Sequence, residues 1–240
     1  MDNIFSKFIY KCYRFLNWKL FSKWHDFKVK AIKLGYRDKT NTLCMPSTII
    51  GCENVYLYEY TRLQGHHVIL SYTSKFVMKK YSGASIGLTV VTGNHVPTVG
   101  IPQYLLGPSH INDKEEDVIV DEDVWIGTGV TLLSGAHVGR GCVVGAKALI
   151  NKKTKCPPYA VVVGCPGKIV AAKFTIDQIL EHEKKLYLPE ERLSRDELES
   201  IFKTYYEGKR TLGVDFNLTD EELRQYKSLQ QEKHFKYPNY

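Results

Sequence analysis

Residues 118–150 read VIVDEDVWIGTGVTLLSGAHVGRGCVVGAKALI. Within this stretch Val120, Ile126, Leu132, Val138, Val144 and Ile150 recur every six residues. Counted from each aliphatic residue, the fifth position holds Val124, Val130, Ala136, Cys142, Ala148 and Thr154, all small or β-branched, and the second holds Gly127, Gly139 and Gly145. An amphipathic helix would repeat at three and four, and a hairpin sheet at two with irregular turns. A strict six with two restricted phases predicts a mainly β fold, a solenoid whose stacked coils align one aliphatic column inside. A sandwich of strands every 8–12 residues is the weaker reading.

Outward from that stretch the beat weakens. Leu57, Leu63 and Ile69 are on period, with Thr61, His67 and Thr73 in the matching fifth positions; Lys75 and Tyr81 break it, and it is expected to recover near Ile86-Gly87. An interruption follows from Val96 to about Asp117, with three prolines, and should project from the coils as a functional loop. Thr175-x-x-Gln178, Ser194-x-x-Glu197 and Thr219-x-x-Glu222 resemble capping boxes and predict helices near 176–186, 195–207 and 220–233. The expected organisation is an amphipathic helical segment over 1–38, a solenoid domain over 39–172 with the loop 96–117 protruding, and a helical extension over 173–240.

Composition bounds the function. With 43 % hydrophobic and 25 % charged residues among 240, the chain has the makings of a soluble globular protein. Its net charge of +7 suits an anionic partner, yet the repeats lack the basic and aromatic interleaving of a nucleic-acid binder, so no nucleic acid is expected. Six cysteines stand at 12, 44, 52, 142, 156 and 165 without a Cys-x-x-Cys pair, which favours a reduced, cytoplasmic location. Cys142 occupies a small-residue phase and is read as packing. Ile4, Phe5, Phe8, Ile9, Tyr13, Leu16, Leu20 and Phe21, interleaved with Lys7, Lys11, Arg14, Lys19 and Lys23, make a basic amphipathic helix too charged to span a bilayer. It either caps the solenoid or makes a peripheral contact with the inner face of a membrane through residues 1–24.

Three blocks in order carry a family resemblance: Thr92-Gly93-Asn94-His95, then Asp123-Val124-Trp125-Ile126-Gly127 after the long loop, then Pro157-Pro158-Tyr159-Ala160-Val161-Val162-Val163-Gly164-Cys165-Pro166-Gly167-Lys168. Residues 85–172 resemble the hexapeptide acyltransferases, the group of xenobiotic, maltose and galactoside acetyltransferases and capsular-sugar O-acetyltransferases. That resemblance implies a left-handed parallel β-helix, a homotrimer with its active site between subunits, acetyl-CoA as donor without a metal, and a small-molecule or saccharide acceptor hydroxyl. It also implies His95 as general base, Asn94 as an acceptor contact, and coenzyme contacts from Trp125, Gly127, Thr128, Ala146, Asn151, Lys152, Lys153 and Lys168. Trp125 is as well suited to the subunit interface as to the cleft. Two extra residues before Pro157 leave two alignments, Asn151-Lys152 or Lys153-Thr154, and Cys165-Pro166-Gly167 replaces the usual Asn-Pro-Ala.

The chemistry agrees with the residue types. Moving an acetyl group from a thioester to an alcohol needs a base for the hydroxyl proton, and histidine titrates in the right range. Lysine meets phosphate as a mobile point charge. An N-acetyltransferase acting on an aminosugar and a non-catalytic CoA-binding scaffold are the alternatives. A zinc hydratase on the same solenoid would need three converging histidines, and His66, His67, His95, His110 and His137 lack that spacing.

Overall fold

The computed structural model describes residues 4–238. Met1–Asn3 of the expected N-terminal segment lie outside the described residues. The chain begins with α1 (Ile4–Ala31) and then winds through five triangular coils. The first three are β1 (Tyr36–Arg37), β2 (Thr42–Leu43), β3 (Ser47–Ile50); β4 (Val55–Leu57), β5 (Arg62–Leu63), β6 (His67–Leu70); and β7 (Phe76–Met78), β8 (Gly83–Ala84), β9 (Thr89–Val91). An insertion holding the short α2 (Gln103–Ser109) separates them from β10 (Val118–Val120), β11 (Trp125–Ile126), β12 (Thr131–Leu133) and β13 (His137–Val138), β14 (Val143–Val144), β15 (Leu149–Ile150). A partial sixth coil is β16 (Ala160–Val163), and β17 (Lys168–Ala172) folds back on it antiparallel.

Corresponding strands stack in parallel into three sheets: A is β1-β4-β7-β10-β13, B is β17-β16-β14-β11-β8-β5-β2, and C is β15-β12-β9-β6-β3. This is the solenoid that the six-residue beat announced, and the left-handed parallel β-helix that the family resemblance implied. The period is one side of the triangle, so Val120, Ile126 and Leu132 face the axis from sheets A, B and C, and Val138, Val144 and Ile150 repeat the set one coil on; all six are fully buried. The weaker early beat is also real, since Leu57, Leu63 and Ile69 are buried in the same way. Its slip comes from extra residues at the 71–75 corner. The interior set resumes at Met78, Ala84 and Val90, earlier than the expected Ile86-Gly87, and Ile86 itself is half exposed.

Backbone hydrogen bonds run from coil to coil, as from Trp125 N to Cys142 O at 2.9 Å and Gly145 N to Val162 O at 2.8 Å. Corners impose left-handed backbone angles. At the A-to-B corner the same position in successive coils is Tyr60, Tyr81, Asp123, Gly141 and Tyr159, with φ of 55°, 68°, 54°, 70° and 65°. For a residue with a Cβ that conformation costs on the order of 1 kcal/mol, and the stacked coils hold it in place. Elsewhere only glycine fits: a Cβ on Gly51 would lie 1.5 Å from Ser71 O. Cys142 is fully buried, its thiol donating toward Pro157 O at 3.1 Å and pushed far up by burial, which makes it packing rather than a nucleophile.

The three capping boxes are formed as read, at Thr175, Ser194 and Thr219. They open α3 (Ile176–Leu186), α4 (Arg195–Ile201), which runs on into a π-type turn over Phe202–Tyr206, and α5 (Asp220–Glu232). At the other end only Val29, Ile32 and Leu34 pack on the core. The body of α1 covers nothing. Eleven of its large apolar side chains between Phe8 and Phe27 are 51 to 68 % exposed, so within one chain only the end of α1 and the segment after it cover the first coil.

One surface pair gives the solenoid a pH dependence. His137 Nε2 lies 2.7 Å from Asp121 Oδ2, and this hydrogen bond lifts the imidazole above its ordinary range despite some desolvation. A raised folded-state value means the contribution is fully present below the unfolded value and fades as pH rises through the folded one. The side chain is 60 % exposed, so solvent screening holds the effect to about 1 kcal/mol or less. The stability advantage of wild type over His137→Gln in urea should therefore be larger at pH 5.5 than at pH 8.5; an advantage that grows with pH would contradict the assignment.

Candidate active site

The insertion leaves sheet C after β9 and re-enters sheet A at β10, so Asn94 and His95 emerge at the C-to-A corner. Both are exposed. The returning limb is sewn to the coils: Glu115 Oε2 accepts from Thr73 N, Thr73 Oγ1 and Ser74 N at 2.9, 2.7 and 3.1 Å, and Asp117 Oδ1 from Lys75 N at 2.7 Å. That anchoring sets Asp113 against His95, with His95 Nδ1 3.1 Å from Asp113 Oδ2. His110 Nδ1 reaches the same oxygen at 2.9 Å. Burial works to raise the Asp113 carboxyl, but the hydrogen bonds from His110 and His95 outweigh it and hold it below its ordinary value. An ionised Asp113 accepts a hydrogen bond from Nδ1–H of His95, which favours the tautomer with Nε2 unprotonated and facing away from the dyad.

Asp113 and His110 escaped the sequence reading. A contact across an 18-residue loop has no period, and the only available signal was an Asp and a His together in an interruption already marked as functional. His95, His110 and Asp113 are also the group among the described residues whose ligand atoms, all within 4.8 Å of one another, could hold a metal ion. Of the other histidines weighed for zinc, His67 is buried on Gln64 O and His137 belongs to Asp121.

The remaining expected residues fall on two edges. Trp125, Gly127, Thr128 and Ala146 line sheet B and the B-to-C corner on adjacent coils. A Cβ on Gly127 would meet Ala146 N at 2.6 Å, so the two backbones touch, and Thr128 Oγ1 lies 2.9 Å from Ser85 Oγ on the coil before. Lys168, at the start of β17 beside Val163, continues this edge. Asn151, Lys152 and Lys153 lie instead at the C-to-A corner, below the insertion. Asn151 Oδ1 accepts from Lys153 N and Thr154 N at 2.9 and 3.1 Å and so builds the turn. Lys152 Nζ is held by Glu116 at 2.6 Å. Lys153 and Lys168 are exposed and in no ion pair among the described residues.

Known proteins share both the repeat and the fold. Residues 117–152 match the bacterial transferase hexapeptide (six repeats) family. A chloramphenicol acetyltransferase of Agrobacterium fabrum is 40 % identical over 63 residues, which are 26 % of this chain and 29 % of that one. A putative lipopolysaccharide biosynthesis O-acetyl transferase of Escherichia coli K12 is 34 % identical over 70 residues, 29 % of this chain and 31 % of that one. The matched stretch thus spans less than a third of these curated relatives. Among solved structures, a maltose O-acetyltransferase from Clostridium difficile 630 superposes with a TM-score of 0.51 at 21 % identity, over 58 % of this chain and 70 % of that one. A hexapeptide-repeat acetyltransferase of Vibrio cholerae complexed with acetyl coenzyme A gives 0.50 at 18 %, over 59 % and 73 %. Over its regular coils the chain is thus similar to hexapeptide-repeat acetyltransferases, and it shares their fold.

Proposed function

We propose that this protein transfers an acetyl group from acetyl-CoA to a hydroxyl of a sugar or other small hydroxylated acceptor. The observation that carries the reading is the His95–Asp113 pair, a histidine held in one tautomer at an exposed corner. His95 Nε2 takes the acceptor's O–H proton as the oxygen attacks the thioester carbonyl; when the tetrahedral intermediate expels sulfur, the imidazolium returns that proton to the thiolate. Asn94 lies beside the acceptor. The chloramphenicol acetyltransferase and the lipopolysaccharide biosynthesis O-acetyl transferase support acetyl transfer, and the Vibrio cholerae neighbour complexed with acetyl coenzyme A supports that donor.

The site is composed between subunits. Trp125, Gly127, Thr128 and Ala146 stand one triangle side from His95, about 20 Å at 3.3 Å per residue for six residues. A coenzyme seated along that edge, in the groove between two solenoids, would lie away from its own chain's His95. A neighbouring copy bringing its B-to-C edge to this chain's His95 supplies the pair, and a closed homotrimer satisfies every edge. Lys153 and Lys168 are the better candidates for the coenzyme phosphates, because Lys152 is already engaged.

Release of CoA thiol from acetyl-CoA tests the reading across sugars, aminosugars and antibiotics. Acceptor-dependent release is expected with hydroxyl acceptors. Turnover confined to amines would favour N-transfer, and acetyl-CoA binding without turnover would favour a scaffold.

α1 suits a membrane surface. Its 28 residues carry seven Lys and Arg against Asp26, and Ile9, Tyr13, Leu16, Leu20, Trp24 and Phe27 follow one helix face. No described helix is long and apolar enough to cross a membrane. The protein should float with phosphatidylglycerol vesicles, less so as salt rises, and not with phosphatidylcholine alone. Equal recovery in the soluble fraction with both lipids would sink this part of the reading.

A further inference from the structure

A cavity of about 650 Å³ lies on the outer face of sheet B, the side of the triangle opposite the corner that carries His95. That volume is in the range of small-molecule sites. Its floor is the outward column of sheet B, where Arg62, Gly83 and Trp125 stand in register on successive coils. Gly83 matters to the floor, since a Cβ there would come within 3.3 Å of the Trp125 ring. The wall is the left-handed corner position of the same coils, which stacks Tyr60 on Tyr81 at 5.9 Å and sets Asp123 next in line. Tyrosine is a costly occupant of that conformation, and two in succession place two phenol rings on one side of the cavity.

The roof is α5 and the tail after it. No residue of α5 is buried, so the tail does the holding. Phe235 packs edge-on against Tyr60 at 4.8 Å and Tyr81 at 5.7 Å, and Tyr60 OH donates to His234 O at 3.3 Å. At the closed end Asp123 Oδ2 binds Lys173 Nζ at 2.7 Å and His182 Nε2 at 3.0 Å. Arg62 is different: no carboxylate pairs with it among the described residues, and with Lys173 and Lys233 it makes the lining cationic on balance.

The geometry points to a binding site for an acidic saccharide, one or two pyranose rings carrying a carboxylate or phosphate. Flat aromatic faces receive the ring's C–H faces, the hydroxyls of Thr40 and Thr42 and the amide of Gln230 receive its hydroxyl groups, and Arg62 receives the anion. The site shares Trp125 with the coenzyme candidates of the transfer reading, but none of its groups is the proposed base, so binding and transfer can be separated.

Trp125 reports on it. The other two tryptophans, Trp18 and Trp24, lie on α1, so the Trp18→Phe/Trp24→Phe protein emits from the cavity alone. Glucuronic acid and glucose 1-phosphate should each change that emission saturably, with methyl glucoside and the Arg62→Ala and Phe235→Ala variants each weaker by about ten-fold or more. No saturable change with either acidic sugar, or an unchanged affinity in Arg62→Ala, would overturn the inference. Tighter binding of uridine monophosphate than of both acidic sugars would overturn the saccharide class. A His95→Ala protein that has lost transfer but still binds glucuronic acid keeps the cavity and the transfer reaction apart.

Discussion

Replacing His95 with alanine is expected to lower turnover of acetyl-CoA with any accepted alcohol by about 10²- to 10⁴-fold, the usual contribution of a positioned general base. Acetyl-CoA affinity should move far less, because Gly127, Thr128, Ala146 and Lys168 lie on another edge of the solenoid and Lys153, at the same corner as His95, would meet only the phosphates. Asp113→Asn tests the positioning residue. It keeps the side-chain volume but removes the charge that fixes the Nδ1 proton, so kcat should fall while KM for the donor holds. His110→Ala should behave differently, since His110 competes with His95 for one carboxylate and its removal leaves Asp113 wholly to His95. A His110→Ala loss as large as that of His95→Ala would identify His110 as the base and displace the assignment. Stopped reactions followed by thiol release would give all three comparisons.

Glu183→Ala is expected to be the most damaging single change to stability away from the solenoid core. Glu183 lies on α3, is 1 % exposed, and accepts from Tyr159 OH at 3.0 Å, Leu193 N at 2.6 Å and Arg140 Nη1 at 3.4 Å. Tyr159 is itself fully buried at the last left-handed corner of the coils. One carboxylate therefore ties the solenoid, α3 and the segment before α4 together. Its removal strands a buried phenol, an amide and part of a guanidinium, which places the cost at about 3–5 kcal/mol. Arg140 retains Glu122 at 3.2 Å and the Glu191 carbonyl at 2.7 Å, so Glu183→Gln, which still accepts, should cost about half as much or less. Thermal unfolding should show the alanine variant lower by on the order of 10 °C. A drop of only a degree or two would mean that water replaces the carboxylate and that the helical extension is loosely attached.

The solenoid was legible because its signal is periodic and local. Every sixth residue must face the axis, and Val120 through Ile150 do so without exception. Helix starts were legible for the same reason: a capping box is complete within four residues, as Thr175 and Gln178 show. The 71–75 corner was not, because added residues shift the phase without leaving a pattern of their own. The site was legible only in part. His95 sits in a short motif at a break in the repeat, whereas Asp113 meets it through a loop whose course depends on Glu115 reaching back to Thr73 and Ser74, 42 and 41 residues away. Lys152 shows the reverse failure. Its identity suits phosphate, yet Glu116, 36 residues earlier, claims it through the stacking of coils.

A stack of identical parallel rungs has no natural length. Each rung exposes the backbone groups that would template the next, which is the logic of a fibre. Here the sixth rung of sheet B is met by β17 running the other way, with Ala160 opposite Ala172 and Val163 opposite Lys168. Reversal of direction at that edge means that a second molecule cannot simply continue the ladder where this one stops. Five residues thereby close the last edge of sheet B, which has more strands than either other sheet, against parallel extension.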